Sequence, residues 1–197
     1  MSEINQTAQD ILFNDARTYN GWEEKEVSDS VLYKLYDLMK MGPTSANCCP
    51  ARIIFLKSDA EKERLKPHLM EGNVEKTMQA PVVALIAYVE EFHEHLPFLF
   101  PHTDAKAWFT GDKKKNYREQ TALRNGTLQG GYFIMAARAV GLDCGPMSGF
   151  NAGGVNESFF EGTTHKINFI CNLGYGRKDS LFPRSPRFEF DQVCKII

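Results

Sequence analysis

Apolar side chains recur along this chain at two spacings, one typical of helices and one typical of buried strands. Helical spacing predicts a helix over residues 30–41, a second over residues 58–69 and a long third one over residues 117–140. The third contains the pair Gly130-Gly131, which would let another helix approach closely, including one from a second copy of the chain.

Strands are predicted where apolar residues are continuous. Residues 53–56 and 81–88 are such runs, and the second is apolar throughout, as in a strand covered on both faces. A further strand is predicted over residues 166–175. A short strand or turn follows Gly141, and a short helix is predicted near residues 155–160. Helices and strands do not alternate regularly, which favours an α+β domain with layers over a doubly wound one.

Size and composition fit one globular domain spanning residues 1–197. The chain is 43% hydrophobic, and its net charge of -2 gives no reason to expect nucleic acid or a membrane surface as a partner. Its first ten residues lack the apolar stretch of a signal peptide, and its longest apolar run is too short to cross a bilayer. Five cysteines, with Cys48 next to Cys49, do not suggest a disulfide framework, so a reducing, cytoplasmic location is expected. No metal-ligand spacing is present, and no metal is predicted.

The most informative segment is the loop over residues 42–50, Gly-Pro-Thr-Ser-Ala-Asn-Cys-Cys-Pro. It joins a predicted helix to a predicted strand and is longer than such a junction needs. Small side chains allow a ligand to approach the backbone, and Thr44, Ser45 and Asn47 offer hydrogen-bonding groups. The loop is typical of a cradle for a polar ligand, although an ordinary turn has the same composition.

Four further segments have a related character. Residues 17–20, 73–76 and 184–187 carry basic or amide side chains suited to a phosphorylated ligand, and residues 141–150 carry glycines at a chain reversal. Taken alone, each is as easily a solvated surface segment or a turn. Cys48 and Cys49 are also candidate nucleophiles, but no histidine stands in a recognisable partner motif, and buried thiols are more common than reactive ones.

These five segments, taken in order, resemble the nitroreductase family of FMN-dependent flavoproteins. The most specific matches are Gly42-Pro43-Thr44-Ser45-Ala46-Asn47 and the segment 141–150. Within the family, four strings are similar to the branch of the malonic semialdehyde reductase of pyrimidine degradation: Asp15-Ala16-Arg17-Thr18, Leu99-Phe100-Pro101-His102, Trp108-Phe109 and Gly145-Pro146-Met147-Ser148-Gly149-Phe150.

The resemblance implies a nitroreductase-like α+β fold with a central mixed β-sheet flanked by helices. It also implies a homodimer with FMN at the subunit interface and NADH or NADPH as hydride donor. By position, the implied FMN-binding residues are Arg17, Thr18 and Asn20 at the phosphate and ribityl chain; Pro43, Thr44, Ser45 and Asn47 in the loop; Asn73 and Lys76 at the pyrimidine edge; Pro146, Met147, Ser148 and Gly149 near flavin N5; and Arg184 and Arg187 at the phosphate.

The implied activity is hydride transfer from NAD(P)H through flavin N5 to a small organic acceptor, such as malonic semialdehyde reduced to 3-hydroxypropionate. Because the flavin carries the chemistry, no catalytic acid, base or nucleophile is predicted in the chain. Arg124, His102 and the Trp108-Phe109 pair are candidates for the acceptor pocket by the same resemblance. A nitro- or quinone-reducing enzyme, a flavin-binding protein without turnover and a thiol-based protein remain alternatives.

Overall fold

The computed structural model of the chain describes residues 2–197. Its central sheet has four strands in the spatial order β1-β2-β4-β3. The strands are β1 (Ala51–Leu56), β2 (Val82–Val89), β3 (Asp143–Met147) and β4 (His165–Gly174).

All three strand pairings in this sheet are antiparallel. The expected mixed sheet is therefore corrected, since among the described residues parallel pairing is limited to an isolated bridge between Thr18 and Cys144 on the outer edge of β3. The apolar run predicted as a covered strand is β2, which lies in the middle of the sheet, and its residues from Val82 to Ala87 are fully buried.

Eight α-helices surround the sheet in the described part of the chain. They are α1 (Gln6–Gln9), α2 (Asp29–Met39), α3 (Asp59–Leu65), α4 (Glu71–Met78), α5 (Leu96–Leu99), α6 (Lys115–Ala139), α7 (Ala152–Phe160) and α8 (Phe190–Val193). The helix predicted over residues 58–69 ends earlier than expected, because Pro67 lacks an N–H and a 3₁₀ turn over Lys66–His68 takes over. None of these helices combines the length and apolar character that a membrane crossing requires.

Two apolar layers cover the two faces of the sheet. Successive side chains along β2 point to opposite faces, so β2 contributes to both layers. Val82, Ala84 and Ile86 pack with residues of α2 and α6 on one face. Val83 and Leu85 pack with residues of α3 and α7 on the other. This double cover explains why β2 is apolar without alternation.

A third apolar cluster lies beside the loop that precedes β1. Cys48 of that loop packs with Phe92, Leu96 and Phe109 from the aromatic segment over residues 90–116, and with Ala122 of α6. The aromatic segment therefore covers the loop.

The two adjacent glycines of α6 have different surroundings. A Cβ on Gly130 would overlap the ring of Phe169 on β4, whereas a Cβ on Gly131 would meet nothing within 4 Å. Within one chain, the close approach at this pair is thus a contact between a helix and the sheet, made by Gly130.

We expect Gly130→Ala to destabilise the folded monomer and Gly131→Ala to leave the monomer unchanged or more stable. The first variant overpacks the contact with Phe169, which costs about 1–3 kcal/mol. The second gains helix propensity of up to about 1 kcal/mol. Urea unfolding of the matched pair measures both effects, and equal stability of the two variants would contradict the contact.

Candidate functional site

Four arginines line a small pocket where the N-terminal segment over residues 16–20 meets the C-terminal tail over residues 182–187. The pocket has a volume of about 260 Å³, and its ten lining residues, all in the described part of the chain, include no Asp or Glu. Guanidinium groups bind phosphate oxygens through paired, charge-assisted hydrogen bonds. We name it the arginine pocket; it is lined by Ala16, Arg17, Thr18, Asn20, Arg138, Phe182, Pro183, Arg184, Ser185 and Arg187.

Reciprocal hydrogen bonds hold the two segments of the arginine pocket together. Arg17 donates to the carbonyl oxygen of Phe182 in the tail. Arg184 donates in the opposite direction, to the carbonyl oxygens of Asn14 at 2.6 Å and Ala16 at 3.2 Å. The predicted phosphate residues from both ends of the chain are thereby brought to one place.

Arg138 is a residue of this pocket that sequence reasoning missed. It stands in the last turn of α6, and its Nη1 donates to the carbonyl oxygen of Leu12 at 2.8 Å. A basic residue near the C-terminus of a helix usually complements the helix dipole. Its sequence position therefore gave no signal of a ligand role.

A second group of predicted residues meets where β3 ends. Asn73 on α4 donates its Nδ2 to the carbonyl oxygen of Gly149 at 2.8 Å, and the backbone N–H of Met70 donates to the same oxygen at 3.1 Å. A Cβ at residue 149 would lie 2.5 Å from Asn73 Nδ2, so a larger residue there would displace the Asn73 amide from this hydrogen bond. We name this group the β3–α4 platform; it consists of Asn73, Lys76, Pro146, Met147, Ser148 and Gly149.

Lys76 is the cation of the β3–α4 platform. It lies in the last turn of α4, and partial burial lowers the pKa of its ammonium group. Desolvation disfavours the charged form, and a nearby negative charge would favour it again. The platform thus offers a half-buried cation to an anionic or electron-rich ligand.

Strand β3 joins the arginine pocket to the platform. Thr18 of the pocket is bridged to Cys144, near the start of β3, and the N–H of Tyr19 donates to the carbonyl oxygen of Cys144 at 3.1 Å. Met147 of the platform is three residues further along, a distance of about 10 Å at the usual rise per residue in a strand. One edge of the sheet therefore carries the arginine pocket near the start of β3 and the platform at its end.

The loop over residues 42–50 is held by α6. The N–H of Ser45 donates to Asn125 Oδ1 at 2.8 Å, and the N–H of Ala51 donates to Gln129 Oε1 at 2.8 Å. Gly42 lies against the ring of Tyr132, where a Cβ would come within 2.5 Å of Cγ. The backbone of the loop is strained, because three of its non-glycine residues have positive φ: Ala46 at 49°, Asn47 at 49° and Cys49 at 38°. The contacts with α6 hold the loop in this conformation.

Two of the three side chains predicted to offer hydrogen bonds are engaged inside the protein. Thr44 Oγ1 accepts from the N–H of Cys49 at 3.2 Å, and Asn47 Nδ2 donates to the carbonyl oxygen of Leu99 at 2.9 Å. Ser45 and Asn47 are both exposed, but the side chain of Ser45 makes no hydrogen bond within the described residues. The loop therefore presents its shape and the side chain of Ser45 more than a row of free donors.

The cysteines of the loop do not resemble an activated nucleophile. Cys48 is buried, and burial raises the pKa of its thiol to about 12, so the thiolate is disfavoured at neutral pH. Cys49 Sγ lies 3.3 Å from Asn47 Oδ1, and all five cysteines carry free thiols. The burial of Cys48 and the raised pKa of its thiol argue against the thiol-based alternative.

The loop and the β3–α4 platform lie at opposite edges of the sheet. The loop leads into β1 at one edge, the platform follows β3 at the other, and β2 and β4 lie between them. Three spacings between strands amount to about 14 Å. The structure thus brings together the arginine pocket and the platform within one chain, but it does not bring the loop to them.

Known proteins match this chain in both sequence and fold. The sequence profile described as the Nitroreductase family matches residues 17–175. A protein of Cupriavidus pinatubonensis with the provisional name NADH dehydrogenase/NAD(P)H nitroreductase is 56% identical over 188 residues, which are 95% of this chain and 96% of that protein. One of Polynucleobacter asymbioticus with the same provisional name is 55% identical over 196 residues, 100% of this chain and 99% of that protein.

Solved structures share the fold at low sequence identity. A protein of Exiguobacterium sibiricum, provisionally described as a nitroreductase and solved in complex with FMN, superimposes with a TM-score of 0.85 at 15% identity over the full length of both chains. The four-stranded sheet between two layers of helices is thus the nitroreductase-like α+β fold, and with the profile match and the two relatives above half identity it establishes that this chain belongs to the nitroreductase family.

Proposed function

We propose that this protein is an FMN-dependent NAD(P)H oxidoreductase. The observation that carries the proposal is the alignment of the arginine pocket with the β3–α4 platform along β3. A phosphate in the pocket would place an attached ring system at the platform, and the relative from Exiguobacterium sibiricum was solved with FMN.

The donor set fits FMN. Arg17, Arg138, Arg184 and Arg187 supply positive charge without a competing carboxylate in the pocket lining, which suits a phosphate monoester dianion. Asn73 and Lys76 supply an amide and an ammonium at the platform for the pyrimidine edge of the ring. Bound FMN would supply reversible hydride acceptance at its N5 atom.

The residues of this chain would act by binding and orientation. The Lys76 ammonium would stabilise negative charge at the pyrimidine edge, which grows when the ring is reduced. The backbone from Met147 to Gly149 would hold the ring in place, leaving its outer face open to the nicotinamide and then to the acceptor. No side-chain acid or base is assigned.

The proposal requires a second copy of the chain. Because the loop and the platform lie at opposite edges of one sheet, FMN can touch both only where two copies meet, with the loop of one facing the platform of the other. The outer face of α6 is suited to this contact: a groove of about 580 Å³ next to the loop is lined by Arg124, Thr127, Leu128, Gly131, Tyr132 and Met135. The C-terminal tail also exposes apolar residues that a partner would cover, including Phe188, Phe190, Val193, Ile196 and Ile197.

For the acceptor we propose malonic semialdehyde, on the branch resemblance. The aromatic segment lies beside the loop, since Asn47 donates to the carbonyl oxygen of Leu99. Within that segment, the centroid of the Phe100 ring is 5.5 Å from that of His102 and 6.3 Å from that of Trp108. Arg124 on α6 is the candidate cation for the carboxylate of the substrate. The aromatic rings also favour a second candidate, a planar quinone or nitroaromatic acceptor, which would stack on them.

The purified protein is expected to bind FMN and to lose its visible flavin band when NADH or NADPH is added without oxygen. Absorbance titration under nitrogen measures both steps. A colourless protein that cannot be reconstituted with FMN would refute the proposal. Binding without reduction by either nicotinamide would instead support a flavin-binding protein without turnover.

Among acceptors, malonic semialdehyde is expected to reoxidise the reduced protein faster than quinones or nitroaromatics. Arg124→Gln should raise the KM for malonic semialdehyde at least about tenfold, because a charged hydrogen bond is worth about 1.5–3 kcal/mol. The KM for a neutral quinone should not change, and Lys178→Gln, on an exposed turn, is the matched control. Faster turnover with quinones, unaffected by Arg124→Gln, would favour the second candidate.

A shared site predicts complementation between two defective variants. Arg187→Glu disables the arginine pocket, and Ser45→Trp blocks the loop, so neither variant should bind FMN alone. In a mixed dimer one of the two sites carries both defects and the other none, so an equal mixture should recover about a quarter of the wild-type flavin content. Flavin release after refolding the mixture measures this, and no recovery would contradict the shared site.

A further inference from the structure

A buried amide on β4 connects the two halves of the β3–α4 platform. Asn172 lies in the interior of the sheet with no exposed surface, paired in register with Val83 on β2 and Gly145 on β3. Its Nδ2 donates to the carbonyl oxygen of Lys76 at 3.2 Å and to Thr77 Oγ1 at 3.2 Å. A polar side chain in this position needs a reason, because burying an amide is unfavourable.

The first connection fixes the end of α4. The last carbonyl groups of a helix lack intrahelical partners, and here the N–H of Ala80 turns to the carbonyl oxygen of Thr77 at 3.2 Å. The carbonyl oxygen of Lys76 is taken instead by Asn172 and by Trp22, whose Nε1 donates to it at 2.9 Å. Two buried side chains thereby set the position of the backbone that carries the Lys76 side chain.

The second connection reaches the end of β3. Thr77 Oγ1 accepts from Asn172 and donates to Met147 Sδ at 3.6 Å. Thr77 is fully buried and Met147 is 9% exposed, so the connection is shielded from water. Lys76 and Met147, which come from different elements, are thus held by one amide group.

We propose that Asn172 is a positioning residue for the flavin ring. It fixes the distance between the Lys76 ammonium at the pyrimidine edge and the Met147 backbone near N5, and so sets how strongly the reduced ring is stabilised. This assignment rests on the proposed function. Asn172 touches neither FMN nor the acceptor and acts through Lys76 and Thr77.

The unsatisfied side of the amide supports a role beyond packing. Asn172 Oδ1 is buried and has no hydrogen-bond partner in the described residues. An apolar side chain of the same size would avoid this penalty. The residue therefore carries an energetic disadvantage that its two donated hydrogen bonds to the platform offset.

The test compares Asn172→Leu with Cys171→Ala, a control on the same strand. Cys171 is equally buried but packs on the other face of the sheet, with residues of α2 and α6. Both variants should lose stability in urea. In the FMN-loaded protein, Asn172→Leu should disfavour the reduced flavin about tenfold, which lowers the two-electron midpoint potential by about 30 mV. It should also shift the visible flavin band, whereas Cys171→Ala should change neither the potential nor the band.

Three milder variants keep the test decisive if Asn172→Leu does not fold. Trp22→Phe removes one donor to the Lys76 carbonyl, and Thr77→Val breaks the connection to Met147, so each should lower the potential by a smaller amount. Thr77→Ser keeps the hydroxyl group, so this variant should have the wild-type potential.

The assignment is wrong if potentials and spectra of Asn172→Leu, Trp22→Phe and Thr77→Val match those of Cys171→Ala while wild-type protein binds FMN. If wild-type protein binds no FMN, the proposed function fails, and the assignment of Asn172 falls with it.

Discussion

The pairing of β3 with β4 is the interaction on which both halves of the candidate site depend. This short strand forms the edge of the sheet, and its free side accepts the N-terminal segment at Cys144. At Gly145 the backbone oxygen of Tyr19 comes so close that a Cβ would lie 2.8 Å from it. Because the register of β3 is fixed by five paired residues, the arginine pocket and the platform keep a constant separation. A slip by one residue would reverse every side chain on the strand and separate the two groups.

The width of the sheet imposes a second constraint, which concerns the quaternary structure. The strained loop before β1 is built against α6, at the far edge from β3. A chain of this topology cannot fold its own loop over its own platform without crossing the two central strands. In the proposed dimer, a two-fold arrangement would solve this for both copies at once, since each loop would then meet the platform of the other. The apolar face of α6 lies next to the loop, so one contact surface could serve both association and ligand binding.

Local patterns predicted the elements well where one physical effect dominated. The continuous apolar run of β2 indicated a strand buried on both faces, and the long periodic stretch of α6 was correct to within two residues at each end. The spatial order of strands could not be read in this way, because β4 lies between β2 and β3 only through contacts distant in sequence. For the same reason Arg138 and Asn172 went unnoticed, since their neighbours Leu12 and Lys76 come from other elements.

The distribution of polar groups suggests how a site without its own acid, base or nucleophile could still control a reaction. The thiol of Cys48 is held protonated by burial, and the polar side chains of Thr44 and Asn47 stabilise the loop itself. The groups left to contact a ligand would act through their position. They are the half-buried ammonium of Lys76, the backbone at Gly149 and the guanidinium groups of the arginine pocket. Interactions of this kind depend on geometry more than on reactivity, and their strength falls quickly when a group moves by an ångström. In the proposed role of Asn172, a buried donor would hold in place the residues that would touch the ligand.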